Sequence, residues 1–297
     1  MNCVEPDPPD RGLRLGRHRY PPDSLLVMAI VNRTPDSFYD RGATYAEGAA
    51  LDAVAAAVAA GADIVDIGGV KAAPGGDVDV AEELRRTVSF VAKVRERWPQ
   101  VAISVDTWRS EVAREVCAAG AELLNDSWGG ADPKLAEVAA AHDVGLVCAH
   151  AGRQAPRTVP HRVSYPDVMA DVLARTTALA EQAEAVGVAR ESILLDPAHD
   201  FGKNTWHSLE VTRRLPELVA RGRPVLVSLS RKDFVGETLN LTVSERLNGT
   251  LAATAVCAWL GARVFRAHDV MATRQVLDMT ASIRGTRPPV AAVRALA

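Results

Sequence analysis

Aromatic residues and cysteines are both scarce in this sequence. Of its 297 residues, 5% are Phe, Trp or Tyr and four are Cys. Cys3, Cys117, Cys148 and Cys257 stand far apart with no Cys-x-x-Cys pair, which argues against both a zinc site and a disulfide framework. Positive charge is not in excess. The 34 Lys and Arg residues face 37 Asp and Glu, for a formal net charge of −3, so nothing here calls for nucleic acid. No stretch reaches the roughly 18 consecutive apolar residues of a membrane-spanning helix. The first 23 residues lack the apolar core of a secretory signal. The expectation is a reduced, soluble, cytoplasmic protein. What is abundant fits that class: 48% hydrophobic and 24% charged residues, with 21 Gly and 17 Pro.

Residues 1–23, with Pro6, Pro8, Pro9, Pro21 and Pro22, read as an irregular, extended N-terminal arm. From residue 24 to 297 one rhythm repeats. A short β-branched run is followed by a polar loop and then by a longer Ala- and Leu-rich segment. The strand candidates are Leu25–Asn32, Asp63–Gly69, Ala102–Thr107, Leu123–Trp128, Gly145–His150, Ile193–Ala198, Val225–Ser230 and Val264–Asp269. The helix candidates are Ala46–Ala60, Val80–Arg97, Ser110–Ala119, Pro133–Ala141, Ser164–Val186, Trp206–Val219, Ser244–Leu260 and Val270–Ile283. Gly61, Gly120, Gly187 and Gly261 fall where helix C-caps belong. Alternating strands and helices build a parallel sheet from right-handed βαβ units. Eight units match a closed (β/α)8 TIM barrel of about 250 residues. A doubly wound open sheet is disfavoured because no Gly-x-Gly-x-x-Gly follows the first strand.

Polar residues terminate the apolar runs: Asn32, Asp66 with Gly68 and Gly69, Asp106, Asn125 with Asp126, His150, Asp196, Ser230 with Arg231 and Lys232, and Arg266 with His268 and Asp269. Any one of them alone reads most simply as a helix cap. Eight in succession, gathered on the C-terminal rim of a barrel, read as a polar pocket. Asp106, Asn125 and Asp196 offer acceptors and an amide suited to a flat heterocycle carrying several N–H groups. Lys232 and Arg266 add positive charge on the side where such barrels hold phosphate, with Asn32 and His268 placed to join on an anion or a metal. The simpler alternatives are that Arg266 pairs with a neighbouring carboxylate and that His268 caps the last helix.

At these residues the chain resembles the dihydropteroate synthase family, from about Ser24 to Ile283. The matching stretches are Met-Ala-Ile-Val-Asn-Arg-Thr-Pro-Asp-Ser-Phe from Met28, Gly-Ala-Asp-Ile-Val-Asp-Ile-Gly-Gly from Gly61 and Ile-Ser-Val-Asp-Thr from Ile103. Asn-Asp-Ser-Trp-Gly-Gly from Asn125, Leu-Asp-Pro from Leu195, Phe-Gly-Lys from Phe201, Ser-Arg-Lys-Asp-Phe from Ser230 and His-Asp-Val from His268 follow in order. The resemblance implies condensation of a pterin methyl diphosphate with p-aminobenzoate, with pyrophosphate leaving. It implies that Asp106, Asn125, Asp196 and Lys232 bind the pterin ring, and that Asn32, Arg266 and His268 hold the diphosphate with Mg²⁺ on Asn32. Phe201, Ser230 and Arg231 would line an aminobenzoate-like slot, and the last helices would form a homodimer. The apolar positions Leu247, Leu251, Ala255 and Leu260 suit that interface and suit packing on the barrel equally well.

The family pattern breaks in the working loops. After Gly68-Gly69 the family carries Glu-Ser-Thr-Arg-Pro-Gly, and this chain carries Val70-Lys71-Ala72-Ala73-Pro74-Gly75. A carboxylate, two hydroxyls and a guanidinium are gone, and each lost donor to a developing oxyanion costs on the order of 3 kcal/mol. After strand six the family's Asp-Pro-Gly-x-Gly-Phe-Gly-Lys becomes Asp196-Pro197-Ala198-His199-Asp200-Phe201-Gly202-Lys203. Asp200 is expected to narrow the ring slot or to pair with Lys232. Arg33 replaces an apolar residue, and Ala149-His150-Ala151 stands where the family has Met-His-Met. The resulting expectation is a divergent second copy of the synthase with little or no activity, still able to bind sulfonamide- or sulfone-like molecules. The alternatives are an active synthase in which Lys71, Arg33 or His199 supplies the missing contacts, a methyltetrahydrofolate:corrinoid methyltransferase, and a non-catalytic partner of an active synthase.

Overall fold

The computed structural model describes residues 12–34, 44–71, 76–152, 154–158 and 163–294. The expected features at Pro35–Asp40 and at Ala72–Gly75 lie outside the described residues. Eight parallel strands form the barrel wall: β3 (Leu26–Asn32), β4 (Ile64–Gly68), β5 (Ala102–Asp106), β6 (Leu123–Asp126), β7 (Gly145–Ala149), β8 (Ile193–Asp196), β9 (Leu226–Ser228) and β10 (Val264–Ala267). They lie in the order β8-β7-β6-β5-β4-β3-β10-β9, and a parallel bridge from Leu195 to Val225 joins the two ends. This is the (β/α)8 barrel that the alternation predicts, and it is one domain.

Period-two alternation divides the core into two layers. Val27, Ala29 and Val31 of β3 face outward to the helices, while Leu26 and Met28 join Ile64, Ala102, Leu123, Leu194, Leu226 and Val264 inside the barrel. Helices α1 (Glu47–Ala59), α2 (Val80–Arg97), α3 (Ser110–Ala118), α4 (Lys134–Ala141) and α5 (Val168–Ala185) cover the first half of the wall. The second half carries α6 (Thr205–Arg213), α7 (Leu215–Val219), α8 (Asp233–Leu239), α9 (Leu247–Trp259) and α10 (Val270–Ile283). The four glycines expected as C-caps close Schellman turns. In α3, for example, Gly120 N–H donates to Cys117 O at 3.0 Å and Ala121 N–H to Val116 O at 2.9 Å, with Gly120 at φ 113°.

Three local expectations are revised. Residues 12–23 are not simply extended. Strands β1 (Leu13–Leu15) and β2 (His18–Tyr20) form an antiparallel hairpin whose Leu13 and Leu15 join the inner core cluster. The cluster consists largely of the first residues of the barrel strands, so the hairpin plugs the N-terminal end. The helix expected over Trp206–Val219 is interrupted at Arg214, because Pro216 has no N–H with which to continue the ladder. Helix α8 was not anticipated, and α9 begins three residues later than expected, after a 3-10 turn at Val243–Glu245.

Candidate functional site

Strand register places the polar residues together. Asp66 of β4 lies opposite Ser104 of β5, and Asp106, two residues further along β5, lies opposite Asn125 of β6. Residues two apart on a strand and residues in register share one face, so all four enter the barrel mouth. Asp66 is fully buried and takes three donors. Ser104 Oγ lies 2.6 Å from Oδ1, while Asn125 Nδ2 and Arg266 Nε lie 3.3 and 2.6 Å from Oδ2. Arg266 Nη2 donates in turn to Asp106 Oδ2 at 3.1 Å, and Ser127 Oγ to Asp106 Oδ1 at 3.1 Å. The simpler reading of Arg266, pairing with a neighbouring carboxylate, is therefore realised, and it occurs inside the pocket.

The electrostatics follow from that burial. Burial pushes the Asp106 carboxyl up to about 7, against the pull of Arg266 and with some help from Asp66. Burial opposes the Arg266 charge, but Asp66 and Asp106 outweigh it and hold its pKa above the ordinary value. His268 is lowered to about 4, first by burial and then by Arg266, so it is neutral at pH 7. Its Nδ1 lies 3.1 Å from Ser230 Oγ, which also accepts the His268 backbone N–H at 3.2 Å.

Across the mouth, Asp196 Oδ1 accepts Ala198 N–H at 2.7 Å. Burial raises the Asp196 pKa, and the nearby Lys232 charge opposes that rise. Lys232 donates to the carbonyl of His199 and sits 4.8 Å from the centre of the Phe201 ring, which meets Trp128 edge-on at 5.3 Å. Burial lowers the Lys232 pKa, with Asp200 and Asp196 resisting.

Asp200 makes no direct ion pair with Lys232, although the two charges act on each other across the loop. One carboxylate oxygen accepts from Ser208 Oγ at 3.1 Å and the other from Phe234 N–H at 3.3 Å, so the side chain turns toward the start of α8. The backbone of this loop is left-handed at Ala198 (φ 49°), Asp200 (φ 68°) and Gly202 (φ 55°). Ala198 and Asp200 stand where the resembling motif has glycine. The loop shape survives without those glycines, at a cost of about 1–2 kcal/mol per residue for a non-glycine side chain.

Three other residues are engaged by the protein itself. Arg231 is occupied structurally: Nε and Nη2 bind Asp269 at 2.9 and 3.1 Å, and Nη1 donates to the carbonyls of Val243 and Ser244. Its guanidinium ties the segment after β9 to the segment after β10. Arg33 folds back from the mouth, 5.0 Å from the Phe90 ring centre, with Nη1 donating to Tyr45 O at 2.5 Å. His199 is fully buried, with Nε2 3.0 Å from Thr212 Oγ1 and its ring stacked on Phe234. Neither Arg33 nor His199 can replace a lost loop contact from there.

Asn32 is half-buried at the end of β3, beside Gly68 of β4 in register, and its backbone carbonyl accepts Thr44 Oγ1 at 2.5 Å. Beyond Gly68 the second loop starts apolar. Val70 is buried, and Gly69 is pressed so closely by α2 that a Cβ there would lie 2.7 Å from Thr87 Cγ2.

Two features escaped the sequence reading. Asp66 was noted as a strand end but given no role, although an acidic residue inside an apolar strand is the signal that marks such a hub. Lys203 was noted only as part of a matching stretch and given no role, and it is buried. Its ammonium lies 2.7 Å from His150 Nδ1 and donates to the carbonyls of His150, Ala198 and Phe201 at 3.1–3.2 Å. His150 Nε2 lies 2.8 Å from Asp171 Oδ2. Burial lowers Lys203 to about 7, and burial together with the Lys203 charge lowers His150 to about 4.

With this geometry in view, comparison with known proteins is decisive. Residues 28–268 match the model of the pterin binding enzyme family. The chain belongs to that family. Within it, the chain is 60% identical over 279 residues to a Mycobacterium leprae protein named inactive dihydropteroate synthase 2, covering 93% of this chain and 96% of that one. It is 40% identical over 256 residues to the dihydropteroate synthase of Escherichia coli, covering 84% and 89%. A Yersinia pestis dihydropteroate synthase solved with a sulfonamide drug superposes with a TM-score of 0.87 at 34% identity, covering 93% and 99%. The rim just described is thus the mouth of a pterin-binding barrel. Among the described residues, no helix is long and apolar enough to cross a membrane.

Proposed function

We propose that this pterin-binding barrel is a folate-pathway homologue with little or no synthase activity, which keeps a ring subsite and has lost much of its grip on the diphosphate. One contrast carries the reading. The polar hub of Asp66, Asp106, Asn125 and Arg266 is fully bonded, whereas the second loop opens on a buried Val70 and continues in sequence as Lys-Ala-Ala. The name of the Mycobacterium leprae relative supports the same reading. Asp106, Asn125, Asp196 and Lys232 would fix a pterin by its hydrogen-bonding edge, aligning the exocyclic carbon for attack by an amine. Phe201 and Ser230 would face an aminobenzoate-like ring, and the sulfonamide complex of the Yersinia pestis protein supports binding of that class.

Asn32, Arg266 and His268 are the groups left for a diphosphate. Neutral His268 would serve it as a hydrogen-bond donor. Among the described residues, no group of three or more acidic, His or Cys side chains could hold a metal alone. A magnesium ion would therefore sit on Asn32 only together with phosphate oxygens, a usual mode for Mg²⁺. When bound, it would neutralise charge on the leaving pyrophosphate.

A homodimer fits the exposed apolar residues Val256 and Trp259 of α9 and Met271, Met279 and Ile283 of α10. The unpaired, buried Cys117, Cys148 and Cys257 support a cytoplasmic setting. The test is a coupled assay with pterin diphosphate, p-aminobenzoate and Mg²⁺, alongside calorimetric titration of a sulfonamide. The expected result is sulfonamide binding without appreciable condensation. Turnover near about 1 s⁻¹, within the ordinary enzymatic range, would sink the proposal.

A further inference from the structure

A cavity of about 570 Å³ opens beside the barrel mouth, between the loops that follow β6 and β7 and the outer face of α5. That volume lies within the roughly 300–1,000 Å³ of small-molecule sites. Trp128 lines it and also meets Phe201, whereas Phe201 and Lys232 do not line it, so the indole separates this space from the ring subsite. Ala149, Ala151, Ala178 and Leu179 complete an apolar wall. Ala151 stands where the family motif has methionine, and a longer side chain there would take up part of the space; Ala149, the other such alanine, packs in the inner core cluster.

Among the described residues, one charged group meets this wall. Arg175 lines the cavity on the same face of α5 as Ala178 and Leu179, at helical spacing. Its Nε donates to Asp171 Oδ2 at 2.7 Å, and among the described residues its two Nη groups have no partner. A guanidinium with both Nη groups available is a bidentate donor for a carboxylate. A compact anion such as phosphate would leave the apolar wall unused.

We propose that this cavity is a second ligand site, taking a small organic carboxylate whose apolar body lies along Trp128 and the alanines and whose carboxylate meets Arg175. The site is independent of the pterin subsite. The test is calorimetric titration of the full chain with 3-phenylpropionate. Saturable binding, one molecule per chain, is expected.

Arg175→Gln should weaken binding at least tenfold, equivalent to about 1.4 kcal/mol. Ala178→Leu, at an exposed helix position, should fill the cavity and abolish binding while leaving the thermal midpoint near wild type. Ser230→Ala, in the barrel mouth, should leave affinity unchanged. If Arg175→Gln does not fold, Ala178→Leu and Ser230→Ala decide between them. The proposal fails if no saturation appears by about 10 mM, or if binding survives Ala178→Leu. It also fails if binding is lost in Ser230→Ala, which would locate the probe in the mouth. Equal competition by inorganic phosphate would overturn the assignment to a carboxylate with an apolar body.

Discussion

Two stretches of the same rim have diverged differently. On the side formed by β4, β5, β6 and β10, a buried carboxylate, Asp66, is held by Ser104, Asn125 and Arg266, and Arg266 also holds Asp106. Where the second loop leaves β4, α2 presses on Gly69, Val70 is buried, and the following residues carry no hydroxyl, carboxylate or guanidinium. The hub serves folding as well as binding, because removing any member leaves a charge or donor buried without its partner. The loop contacts that hold a leaving group do not stabilise the fold, so losing them costs catalysis alone. A protein released from its reaction would keep the first and lose the second, and that is the pattern here.

The strongest way to break this comparison is to remove the centre of the hub. Asp66→Ala leaves Arg266 and Asn125 without their shared acceptor in a buried site. Breaking a buried ion pair from one side costs about 3–5 kcal/mol. Chemical denaturation should show that loss, with the midpoint shifted and the slope preserved. A cost below about 1 kcal/mol would mean that the hub does not hold the rim together.

Rebuilding the other side sharpens the contrast. Val70→Glu, Lys71→Ser, Ala72→Thr and Ala73→Arg together restore the family's second loop. One restored oxyanion donor is worth about 10²–10³ in turnover, so the four-fold variant should raise condensation at least about 100-fold. Asp200→Gly alone should not, because Asp200 already turns away to Ser208 and Phe234. The opposite result, rescue by Asp200→Gly and none by the loop, would move the defect to the strand-six loop.

Most of the barrel was legible because its signals are periodic and local. Val80–Arg97 and Val270–Ile283 are helices over the full expected spans, and each expected strand has its counterpart in the wall. The N-terminal hairpin was not legible. Leu13 and Leu15 are two apolar residues among prolines and charges, and their destination is the far end of the barrel interior. The same limit applies to the site. Strand-end polarity located the rim, and strand register then determined which residues meet. Whether a charged side chain points at a ligand or at its own protein is decided by contacts distant in sequence. Arg231 finds Asp269, and Lys203 finds His150 across 53 positions. Arg33 was weighed as a source of the missing loop contacts, yet its guanidinium lies over a helix aromatic behind the wall.

The smallest effect tests why the strand-six loop kept its shape. Ala198 is buried at φ 49°, a conformation that costs an L-residue about 1–2 kcal/mol relative to glycine. Its neighbours hold it there: its N–H donates to Asp196 Oδ1, and its carbonyl accepts from Lys203 and from Phe201 N–H. If these bonds dictate the backbone, Ala198→Gly removes the strain without changing the loop. The greater freedom of glycine in the unfolded chain offsets part of the gain, by about 0.4–1 kcal/mol. A net stabilisation of about 0.5–1 kcal/mol should then appear in denaturant unfolding, with sulfonamide affinity unchanged. Destabilisation would mean that the alanine methyl contributes more to the inner core than the left-handed backbone costs. The loop's shape would then belong to this chain's own packing rather than to a retained glycine template.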